Sequence, residues 1–423
     1  MLDIKLLREE PDKVKEGIQK KGVNPALVDE FLALDATWRT LTKEIDDLRA
    51  EQKKLGEAKK IEEAKALKET LKMKEGELKE LETSRDAILQ KFPNLPFDDV
   101  PVGKDESENK VIRKWGEPTS FDFEAKDHVA LGESLGLIEI EKAGKIAGTR
   151  FAYLKGDAVL LQMALIAHTF KTLGDEAVLA PIAEKAGVPS KPFIPVLPPV
   201  MIKPDVYQRM GRLEPKEERY YIPSDDIYLI GSAEHTLGPL HMDETLGEDA
   251  LPIRYIGYST SFRREAGSYG KDTRGILRVH QFDKLEMETF TAPEDSTKEQ
   301  DFIVGIQEYL MQSLAIPYQV VAICTGDMGG PDARQIDIEA WMPGQDRYRE
   351  THTSDLITDY QSRRLGIRVR RKDGATALAH MNDATAFAIG RTLIAIMENY
   401  QTADGKIRVP EVLQKYLGKD IIE

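Results

Sequence analysis

The chain has 423 residues, of which 41% are hydrophobic and 31% are charged, and its formal net charge is −14. The length suits two domains, and the composition is typical of a globular protein with one unusually polar segment. We expect neither a transmembrane helix nor a signal peptide, because the sequence lacks the run of about 18 apolar residues and the apolar N-terminal core that they require. The single cysteine, Cys324, excludes an intrachain disulfide and a cysteine-based zinc site, so we expect a cytoplasmic protein without a membrane partner.

Two heptad runs dominate the first third of the chain and predict a pair of long helices. Spacings that alternate between four and three residues place one apolar stripe along each helix. The first run comprises Leu34, Trp38, Leu41, Ile45, Leu48, Gln52 and Leu55, and the second comprises Ala64, Leu67, Leu71, Lys74, Leu78, Leu81, Arg85, Ile88 and Phe92. Gly56 and a polar stretch separate the runs, and Pro93 and Pro96 end the second. The sequence therefore predicts an antiparallel two-helix coiled coil over about 30–92, preceded by a small helical base.

The predicted hairpin is long and locally basic. Helices of about 30 residues are about 45 Å long, too long for a globule to bury, so we expect the hairpin to project as an arm. From Arg49 to Lys74 the arm contains nine basic and five acidic residues, a local charge of +4 in an acidic chain. Two interpretations are open: a solvated coiled-coil surface, or a surface that contacts a phosphate backbone. In the second, the contacting residues are Arg49, Lys53, Lys54, Lys59, Lys60, Lys65, Lys68 and Lys72.

The segment from Asn94 to Lys126 is rich in Pro, Gly and Asp, and we interpret it as a linker. The pattern of apolar and polar residues changes after it. Helical patterns and β-rich runs then alternate, which predicts an α+β domain built on an antiparallel sheet. The helical patterns span residues 155–173 and 297–313, and the β-rich runs are Ile253–Tyr258, Tyr318–Ile323 and Ile336–Trp341. Neither GxGxxG nor GxxxxGK[ST] follows a predicted strand, so Rossmann and P-loop nucleotide sites have no support.

The strongest indication of a binding site is a segment dense in arginine. It runs from Thr260 through Arg263 and Arg264 to Glu286. The planar fork of arginine binds phosphate or carboxylate with two hydrogen bonds, although flanking acids could equally pair with these arginines at the surface. The segment resembles motif 2 of class II aminoacyl-tRNA synthetases, FRxEAGxxGxDTRGxxRxHQF, in the form typical of the seryl-tRNA synthetase family of bacterial type. Its fixed positions are met by Phe262, Arg263, Glu265, Ala266, Gly267, Gly270, Asp272, Thr273, Arg274, Gly275, Arg278, His280, Gln281 and Phe282.

Further segments resemble other motifs of the same family. Gly390–Leu393 begins a stretch that resembles motif 3, and Val196–Pro199 resembles the end of motif 1, whose family role is the dimer interface. Ser232–Glu234 stands at the Thr-x-Glu loop over the amino group of serine, and Asp337–Trp341 resembles the strand that binds metal and ATP. The heptad hairpin matches the family's tRNA-binding arm. The resemblance therefore spans essentially the whole chain.

The resemblance implies the fold, the domain order and the partners. It implies an α+β protein in which an N-terminal tRNA-binding arm, an antiparallel two-helix coiled coil, occupies residues 1–105. A class II catalytic domain, an antiparallel β-sheet flanked by helices, would occupy residues 106–423. The implied partners are ATP with Mg²⁺, L-serine, tRNA(Ser) and a second copy of the chain in a homodimer.

The resemblance also implies a role for each site residue. The implied catalytic residues are Arg263 at the α-phosphate and amino-acid carboxylate, Glu265 at the adenine amino group, and Arg391 at the γ-phosphate. Phe282 would stack on the adenine, and Glu286 would meet the serine hydroxyl. The implied serine-binding set is Ser232, Ala233, Glu234, Arg263, Glu286 and Thr385. The implied ATP-binding set is Arg263, Arg264, Glu265, Phe282, Glu339, Glu350, Thr351, His352, Thr353 and Arg391, with Glu339 and Thr353 as Mg²⁺ ligands.

The sequence departs from the family's pattern at three places. Ser232 replaces the threonine of Thr-x-Glu and keeps its hydroxyl. The segment 350–355 stands where Glu-Ile-Ser-Ser-Cys-Ser-Asn is common, so that His352 and Asp355 change the local charge. The segment 382–385 stands where Leu-Asn-Gly-Ser is common, and Asp383 places a negative charge where the family has an amide. These differences fall on the amino-acid pocket and leave ATP binding largely intact.

Three other functions are open to a sequence of this kind. A relative that loads an amino acid onto another carrier would be expected to lack the arm. A relative that only binds nucleic acid or a partner would be expected to lose Arg263, Glu265 or Arg391, all of which are present. A coiled-coil scaffold explains residues 30–92 and nothing after them. We therefore expect an enzyme that activates serine with ATP and charges tRNA.

Overall fold

The computed structural model describes residues 1–266 and 274–423, so that Gly267, Gly270, Asp272 and Thr273 of the predicted motif 2 lie outside the described residues. The described residues form two compact units, Met1–Pro96 and Phe97–Glu423. The boundary predicted after residue 105 therefore lies inside the second unit. In the described part of the chain, none of the helices combines the length and the apolar character that a membrane crossing needs.

The N-terminal unit is helical and contains the predicted hairpin. Its helices are α1 (Ile4–Glu9), α2 (Pro11–Lys20), α3 (Ala26–Glu57) and α4 (Ile61–Leu89). Every predicted heptad position in α3 and α4 is buried or half-buried, and Leu41 and Ile45 of α3 pack with Leu71 of α4. Phe31 of α3 also meets Phe92 edge-on, with ring centroids 6.0 Å apart, in a second cluster that α1 and α2 complete. The predicted two-helix coiled coil and its small helical base are confirmed.

A buried acid that the heptad pattern did not predict links these helices. Asp35 accepts hydrogen bonds of 2.8 and 2.7 Å from Arg8, and lies 3.2 Å from Arg39 and 3.7 Å from Arg85. Arg85, a polar residue in the seam, also lies 4.2 Å above the ring of Trp38. Burial alone would raise the pKa of Asp35, but the hydrogen bonds and charges of these arginines outweigh it and lower the pKa below its usual value.

The second unit alternates short and long elements. Its helices are α5 (His128–Ser134), α6 (Glu141–Ala147), α7 (Asp157–Leu173), α8 (Glu176–Ala186), α9 (Pro204–Met210), α10 (Glu234–Leu237), α11 (Ser296–Ser313), α12 (Tyr360–Leu365), α13 (Ile389–Asn399) and α14 (Glu411–Leu417). Its longer strands and those that pair with them are β1 (Lys110–Trp115), β2 (Ile138–Glu139), β3 (Tyr153–Leu154), β4 (Ile194–Val196), β5 (Met201–Ile202), β6 (Tyr221–Ile222), β7 (Ile227–Leu229), β8 (Thr245–Gly247), β9 (Ile253–Phe262), β10 (Gln281–Thr291), β11 (Tyr318–Ala322), β12 (Arg334–Met342), β13 (Arg347–Thr358), β14 (Arg368–Arg370), β15 (Thr376–Leu378), β16 (His380–Ala388), β17 (Ile407–Arg408) and β18 (Ile421–Ile422).

One large sheet organises this unit. Within the described residues it has eight strands in the order β1-β11-β12-β13-β16-β10-β9-β4. Neighbouring strands are antiparallel, except that β4 runs parallel to β9. Leu165 of α7, Phe302 of α11 and Ile394 of α13 are fully buried in the core that covers the sheet. The predicted α+β fold on an antiparallel sheet is confirmed.

The edge strand β1 corrects the linker prediction. It lies in the segment Asn94 to Lys126 and pairs with β11 from Lys110 to Trp115. All six of its residues are exposed. Because neither face of β1 is buried, its sequence lacks the alternation of apolar and polar residues by which a half-buried strand is recognised.

Two glutamines of α11 tie together the middle strands of the sheet. Gln300 Nε2 donates to the Ser354 carbonyl at 2.9 Å, and Gln307 Nε2 donates to the carbonyls of Thr353 and Thr385 at 2.9 and 2.8 Å. These carbonyls belong to β13 and β16, and buried carbonyls without a donor would cost free energy. The helix therefore holds in place the two strands that carry much of the pocket described below.

We predict that Asp35→Asn destabilises the N-terminal unit by about 2 kcal/mol, because it removes the buried counter-charge that Arg8, Arg39 and the largely buried Arg85 share, while Arg8 and Arg39 stay partly in water. Hydrogen exchange of the amides of α3 and α4 in the full chain measures this loss. Because the folded pKa of Asp35 is depressed, its contribution is present above the unfolded value of about 3.9 and is lost as the pH falls through the folded value. Exposed Asp47→Asn on the same helix is the control. Equal exchange in both variants would contradict the assignment.

Candidate active site

A pocket of about 190 Å³, called the central pocket here, lies among β10, β13, β16, the start of α13 and the loops beside them. It is lined by Arg212, Glu234, Arg263, Glu265, Ile276, Leu277, Arg278, Val279, Phe282, Lys284, Glu286, Glu350, Thr351, Thr353, Asp355, Asp383, Thr385, Ala388, Gly390 and Arg391. Most residues that the sequence assigned to the site are therefore brought together. The assigned residues that do not line it are Ser232, Ala233, Arg264, Glu339 and His352.

A second pocket of about 610 Å³, called the adjoining pocket here, shares Leu277, Arg278, Glu350 and Arg391 with the central one. Glu339 lines this pocket rather than the central one. Its carboxylate accepts a hydrogen bond of 2.6 Å from Gln319 Nε2. The predicted ATP-binding residues therefore extend over two connected pockets.

Arg263 is anchored at the end of β9. Its Nε donates to the Gly231 carbonyl at 3.1 Å, and its guanidinium lies 5.3 Å from the centre of the Phe282 ring. The Arg263 amide also donates to the His280 carbonyl at 3.0 Å, which joins the two sides of the loop between β9 and β10. One edge of the guanidinium is thus fixed on the protein, and the group lines the pocket as a preorganised cation.

Arg391 occupies the first turn of α13, immediately after β16. Its Nη1 donates to the carbonyl oxygen and to the carboxylate of Glu350, at 3.0 and 2.8 Å. Burial opposes ionisation of Glu350, but the charges of Arg391, Arg263 and Lys284 hold its pKa below the usual value. Arg391 and the ionised carboxylate of Glu350 therefore meet where the two pockets join, and Arg263 lines the central pocket.

Glu265 and Arg264 follow β9 and take different environments. Glu265 has a φ of 52°, which residues other than glycine rarely adopt, and its carboxylate lies 3.6 Å from Arg278. Arg264 is exposed, and its guanidinium lies 5.5 Å from the centre of the Tyr220 ring, outside the central pocket. The backbone therefore directs Glu265 into the pocket and Arg264 away from it.

The opposite end of the central pocket is acidic. Lys284 Nζ lies 2.6 Å from Glu286 and 3.3 Å from the Ser232 hydroxyl, which accepts its hydrogen bond. Burial raises the pKa of Glu286 to about 7, despite the charge of Lys284, and the nearby carboxylate of Glu234 adds to the shift. Thr385 lies directly opposite Glu286 across β10 and β16 and lines the same pocket. Ala233 is fully buried behind these groups.

The structure adds residues to this end that the sequence did not assign. The carboxylates of Glu234, Glu286 and Asp383 lie within 4.8 Å of one another, so the cluster suits a cationic group. Lys284 and Glu286 are two residues apart on β10 and share a face, and this spacing could have identified Lys284. Arg212, whose Nε lies 3.1 Å from Glu234, carries no local signal because it reaches the pocket only through the tertiary fold.

His352 lies outside both pockets, although the sequence assigned residues 350–353 to ATP as a block. Its ring lies 5.4 Å from that of Phe387, and its Nδ1 is 2.8 Å from the Thr351 hydroxyl. Burial lowers the pKa of His352 to about 3, so the imidazole is neutral. An irregularity in the pairing of β12 with β13, between Glu350 and His352, lets Glu350, Thr351 and Thr353 line the central pocket while His352 packs behind it.

Comparisons with known proteins find relatives that match the whole chain. Residues 1–96 match the family described as the seryl-tRNA synthetase N-terminal domain, and residues 219–400 match the tRNA synthetase class II core domain (G, H, P, S and T). The chain is 41% identical to the serine–tRNA ligase of Thermodesulfovibrio yellowstonii, with 100% of both chains covered. It is also 40% identical to the serine–tRNA ligase of Corynebacterium glutamicum, with 100% of this chain and 99% of that one covered.

Among solved structures, the chain is similar to the seryl-tRNA synthetase of Pyrococcus horikoshii complexed with ATP. The TM-score is 0.90 and the identity is 38%, over 100% of this chain and 99% of that one. It is likewise similar to the cytoplasmic serine–tRNA ligase of Naegleria fowleri in complex with AMP, with a TM-score of 0.87 and 32% identity over 100% and 99% of the two chains. The similarity therefore includes both units.

We predict that Glu286→Gln becomes more stable relative to the unchanged chain as the pH rises from 5 to 8. The pKa of Glu286 is raised to about 7 in the folded chain, so the stability contributed by its protonated form is lost as the pH rises through that value. Urea unfolding at equilibrium over this pH range measures the difference, and exposed Glu184→Gln is the control. A difference between Glu286→Gln and the unchanged chain that does not vary with pH would contradict the assigned environment.

Proposed function

Because the chain belongs to the seryl-tRNA synthetase family, we propose that it activates L-serine with ATP in the central pocket and transfers the seryl group to the 3′ end of tRNA(Ser). One observation carries the site assignment: Arg263, Phe282 and Arg391 line the same pocket as the carboxylates of Glu234 and Glu286. A cationic end next to an acidic end suits a polyphosphate bound beside an amino acid.

The first step needs alignment and charge stabilisation. A carboxylate oxygen of serine attacks the α-phosphorus of ATP, the bond from that phosphorus to the bridging oxygen breaks, and pyrophosphate leaves. Negative charge spreads over the phosphoryl oxygens in the transition state, so preorganised cations accelerate the reaction. Arg263, anchored on Gly231, faces the α-phosphate and the serine carboxylate, and Arg391, anchored on Glu350, faces the γ-phosphate. Phe282 supports the adenine, whose amino group meets Glu265.

The second step transfers the seryl group. A hydroxyl of the terminal ribose of tRNA attacks the seryl carbonyl carbon and gives up its proton, the bond from that carbon to the phosphate oxygen breaks, and AMP leaves. Our proposal does not include a histidine as the base that accepts this proton. His352 is neutral and lies outside the pocket, which agrees with a structural role for it.

The acidic end of the central pocket is proposed to select serine. Glu234 faces the α-ammonium group, and Glu286, Lys284 and Thr385 surround the position of the hydroxyl. A carboxyl group whose pKa is about 7 can either donate a hydrogen bond to that hydroxyl or accept one from it. Alanine would leave these buried polar groups without a partner, which makes a site of this kind selective against it.

The residues of the adjoining pocket fit Mg²⁺. Glu339 and Glu350 are opposite each other on β12 and β13, and both line that pocket. Burial, together with the charge of Glu350, raises the pKa of Glu339, as expected where two carboxylates approach. Carboxylate oxygens are the ligands that Mg²⁺ prefers, and the ion would supply positive charge against the phosphates of ATP. Thr353, which the sequence assigned as a ligand, lines the central pocket, so Glu350 takes its place in our proposal.

The basic surface of α3 and α4 is proposed to contact the phosphate backbone of tRNA. Every basic residue assigned to it is exposed. Arg49 already donates to Glu75 at 2.8 Å and Lys60 to Glu63 at 3.1 Å, so these two are partly neutralised. The other lysines around the turn between the helices, Lys53, Lys54 and Lys59, form the part of the surface that best suits phosphate.

We also propose a homodimer in the cytoplasm, where the tRNA substrate is found. Strand β4 ends the large sheet, and the apolar side chains beside it are exposed, with 51% of Ile194 and 77% of Leu197 accessible. Exposed apolar residues at the edge of a sheet are typical of an interface with another chain. The segment 196–199 is also the one that resembles the family's dimer motif.

We predict that Arg263→Ala reduces serine-dependent ATP–pyrophosphate exchange by roughly 10²- to 10³-fold, because it removes a preorganised cation from the transition state. Circular dichroism should show an unchanged fold. Exposed Arg408→Ala is the control for loss of an arginine and should retain the activity of the unchanged chain. Near-normal exchange in Arg263→Ala would overturn the site assignment.

We predict that replacing Lys53, Lys54, Lys59 and Lys60 with alanine lowers kcat/KM for tRNA charging about tenfold and weakens its salt dependence, while serine-dependent exchange is unchanged. The matched control replaces the acids of the same segment, Glu51, Glu57, Glu62 and Glu63, with glutamine. That variant should charge tRNA at least as well as the unchanged chain. Equal losses in both variants, or a parallel loss of exchange, would count against the arm as a tRNA-binding surface.

A further inference from the structure

One guanidinium group beneath the acidic end of the central pocket contacts four carboxylates. Arg212 Nε lies 3.1 Å from Glu234, and Nη2 lies 3.3 Å from Asp332, 3.2 Å from Asp355 and 3.1 Å from Asp383. The Nη2 contacts have hydrogen-bond geometry, whereas the contact with Glu234 is an ion pair without it. The acids come from α10, a loop, β13 and β16. Arg212 therefore joins four separate segments of the pocket.

The protein holds Arg212 firmly. Gly211 ends α9 with a φ of 70°, and the Arg212 carbonyl accepts a hydrogen bond of 2.8 Å from Arg219 Nη2. Only 14% of the Arg212 side chain is exposed. Burying a guanidinium group costs free energy unless it is paired with carboxylates. The four acids therefore fix the position of Arg212, and Arg212 fixes theirs.

Two of the four acids are those by which the sequence departs from the family's pattern. Asp383 stands where an asparagine is common, and Asp355 lies in the unusual segment 350–355. Both contact the same Nη2 atom of Arg212. Glu288, 1% exposed, lies opposite Asp383 across the strands and adds another buried acid. Asp355 and Asp383, where the sequence departs from the family's pattern, therefore belong to one buried network of acids whose positive partner is Arg212.

Arg212 also determines the charge of Glu234. The carboxylates of Glu234, Glu286 and Asp383 lie within 4.8 Å of one another, and like charges at this separation favour uptake of a proton. Burial adds to that tendency, but the charge of Arg212, followed by the hydrogen bond of His235, holds the pKa of Glu234 well below its usual value. Burial instead raises the pKa values of Asp355 and Asp383. Among these buried acids, Glu234 is therefore the one whose ionised form the charge of Arg212 favours most clearly.

We propose that Arg212 is a positioning residue for serine, which pairs with Glu234, holds that carboxylate towards the α-ammonium group, and ties Asp355 and Asp383 into the same network. The inference rests on the proposed function, because the ammonium group that Glu234 faces is that of serine. Arg212 lines the central pocket and does not line the adjoining one. Its side-chain contacts are with the acids at the acidic end, where the ammonium group of serine is proposed to bind, so it acts on serine affinity rather than on ATP affinity.

Steady-state ATP–pyrophosphate exchange tests this role, with the KM for serine and the KM for ATP measured separately. Arg212→Gln raises the KM for serine at least about tenfold, because Glu234 loses its fixed counter-charge, and the KM for ATP changes less than about twofold. The double variant Arg212→Gln/Asp383→Asn recovers most of the loss, since it removes the acid together with the cation that compensates it. Exposed Arg370→Gln is the matched control and leaves both KM values unchanged.

Arg212→Lys keeps the charge and serves where Arg212→Gln does not fold. A lysine ammonium is a point charge that cannot reach all four acids in one geometry, so the KM for serine still rises several-fold at an unchanged KM for ATP. A KM for serine within twofold of the unchanged chain in Arg212→Lys, or equal increases in both KM values, overturns the inference. The unchanged chain tests the proposed function itself: if it shows no serine-dependent exchange, the function fails, whereas normal exchange with unaltered KM values in the Arg212 variants overturns the positioning role alone.

Discussion

The buried carboxylates of Glu234, Glu286 and Asp383 lie within 4.8 Å of one another in the central pocket. Groups so close cannot all be ionised without counter-charges, and the structure supplies Lys284 at 2.6 Å from Glu286 and Arg212 against the other two. The arrangement leaves Glu234 charged while burial favours protons on its neighbours. A pocket in which the charge of Arg212 keeps one carboxylate ionised is suited to a single ammonium group flanked by a hydroxyl, which is the chemistry of serine.

The antiparallel sheet provides the geometry that this charge arrangement needs. Glu286 and Thr385 meet across β10 and β16 because directly opposite residues share a face, and Gln307 of α11 fixes the Thr385 carbonyl from behind at 2.8 Å. Arg391 follows β16 at the start of α13, and Arg263 follows β9, so the two cations approach the pocket from different elements. The acidic and cationic ends are therefore held on strands and helix starts, which in the proposed complex would keep serine and the α-phosphate of ATP in fixed relation.

The sequence predicts the parts of the structure that repeat or that resemble a known motif. The heptads locate α3 and α4 because each seam residue is buried or half-buried, and the motif residues locate Arg263, Phe282 and Arg391 in one pocket. The alternation of apolar and polar residues does not reveal β1, because all of its residues are exposed. Assigning residues 350–353 to ATP as one block was wrong for His352, because the irregular pairing of β12 with β13 places its side chain outside the pocket. Arg212 could not be predicted, because its four partners come from segments that only the folded chain brings together.

Amino-acid-dependent ATP–pyrophosphate exchange tests the central claim most directly, with serine, threonine, alanine, cysteine and glycine each supplied separately. The charge arrangement of the central pocket predicts exchange with serine and little with alanine or glycine, because these two leave Glu286, Lys284 and Thr385 without a hydroxyl partner. Exchange that is as fast with another of these amino acids would contradict serine selection by this pocket, and exchange with none of them would contradict activation at the site.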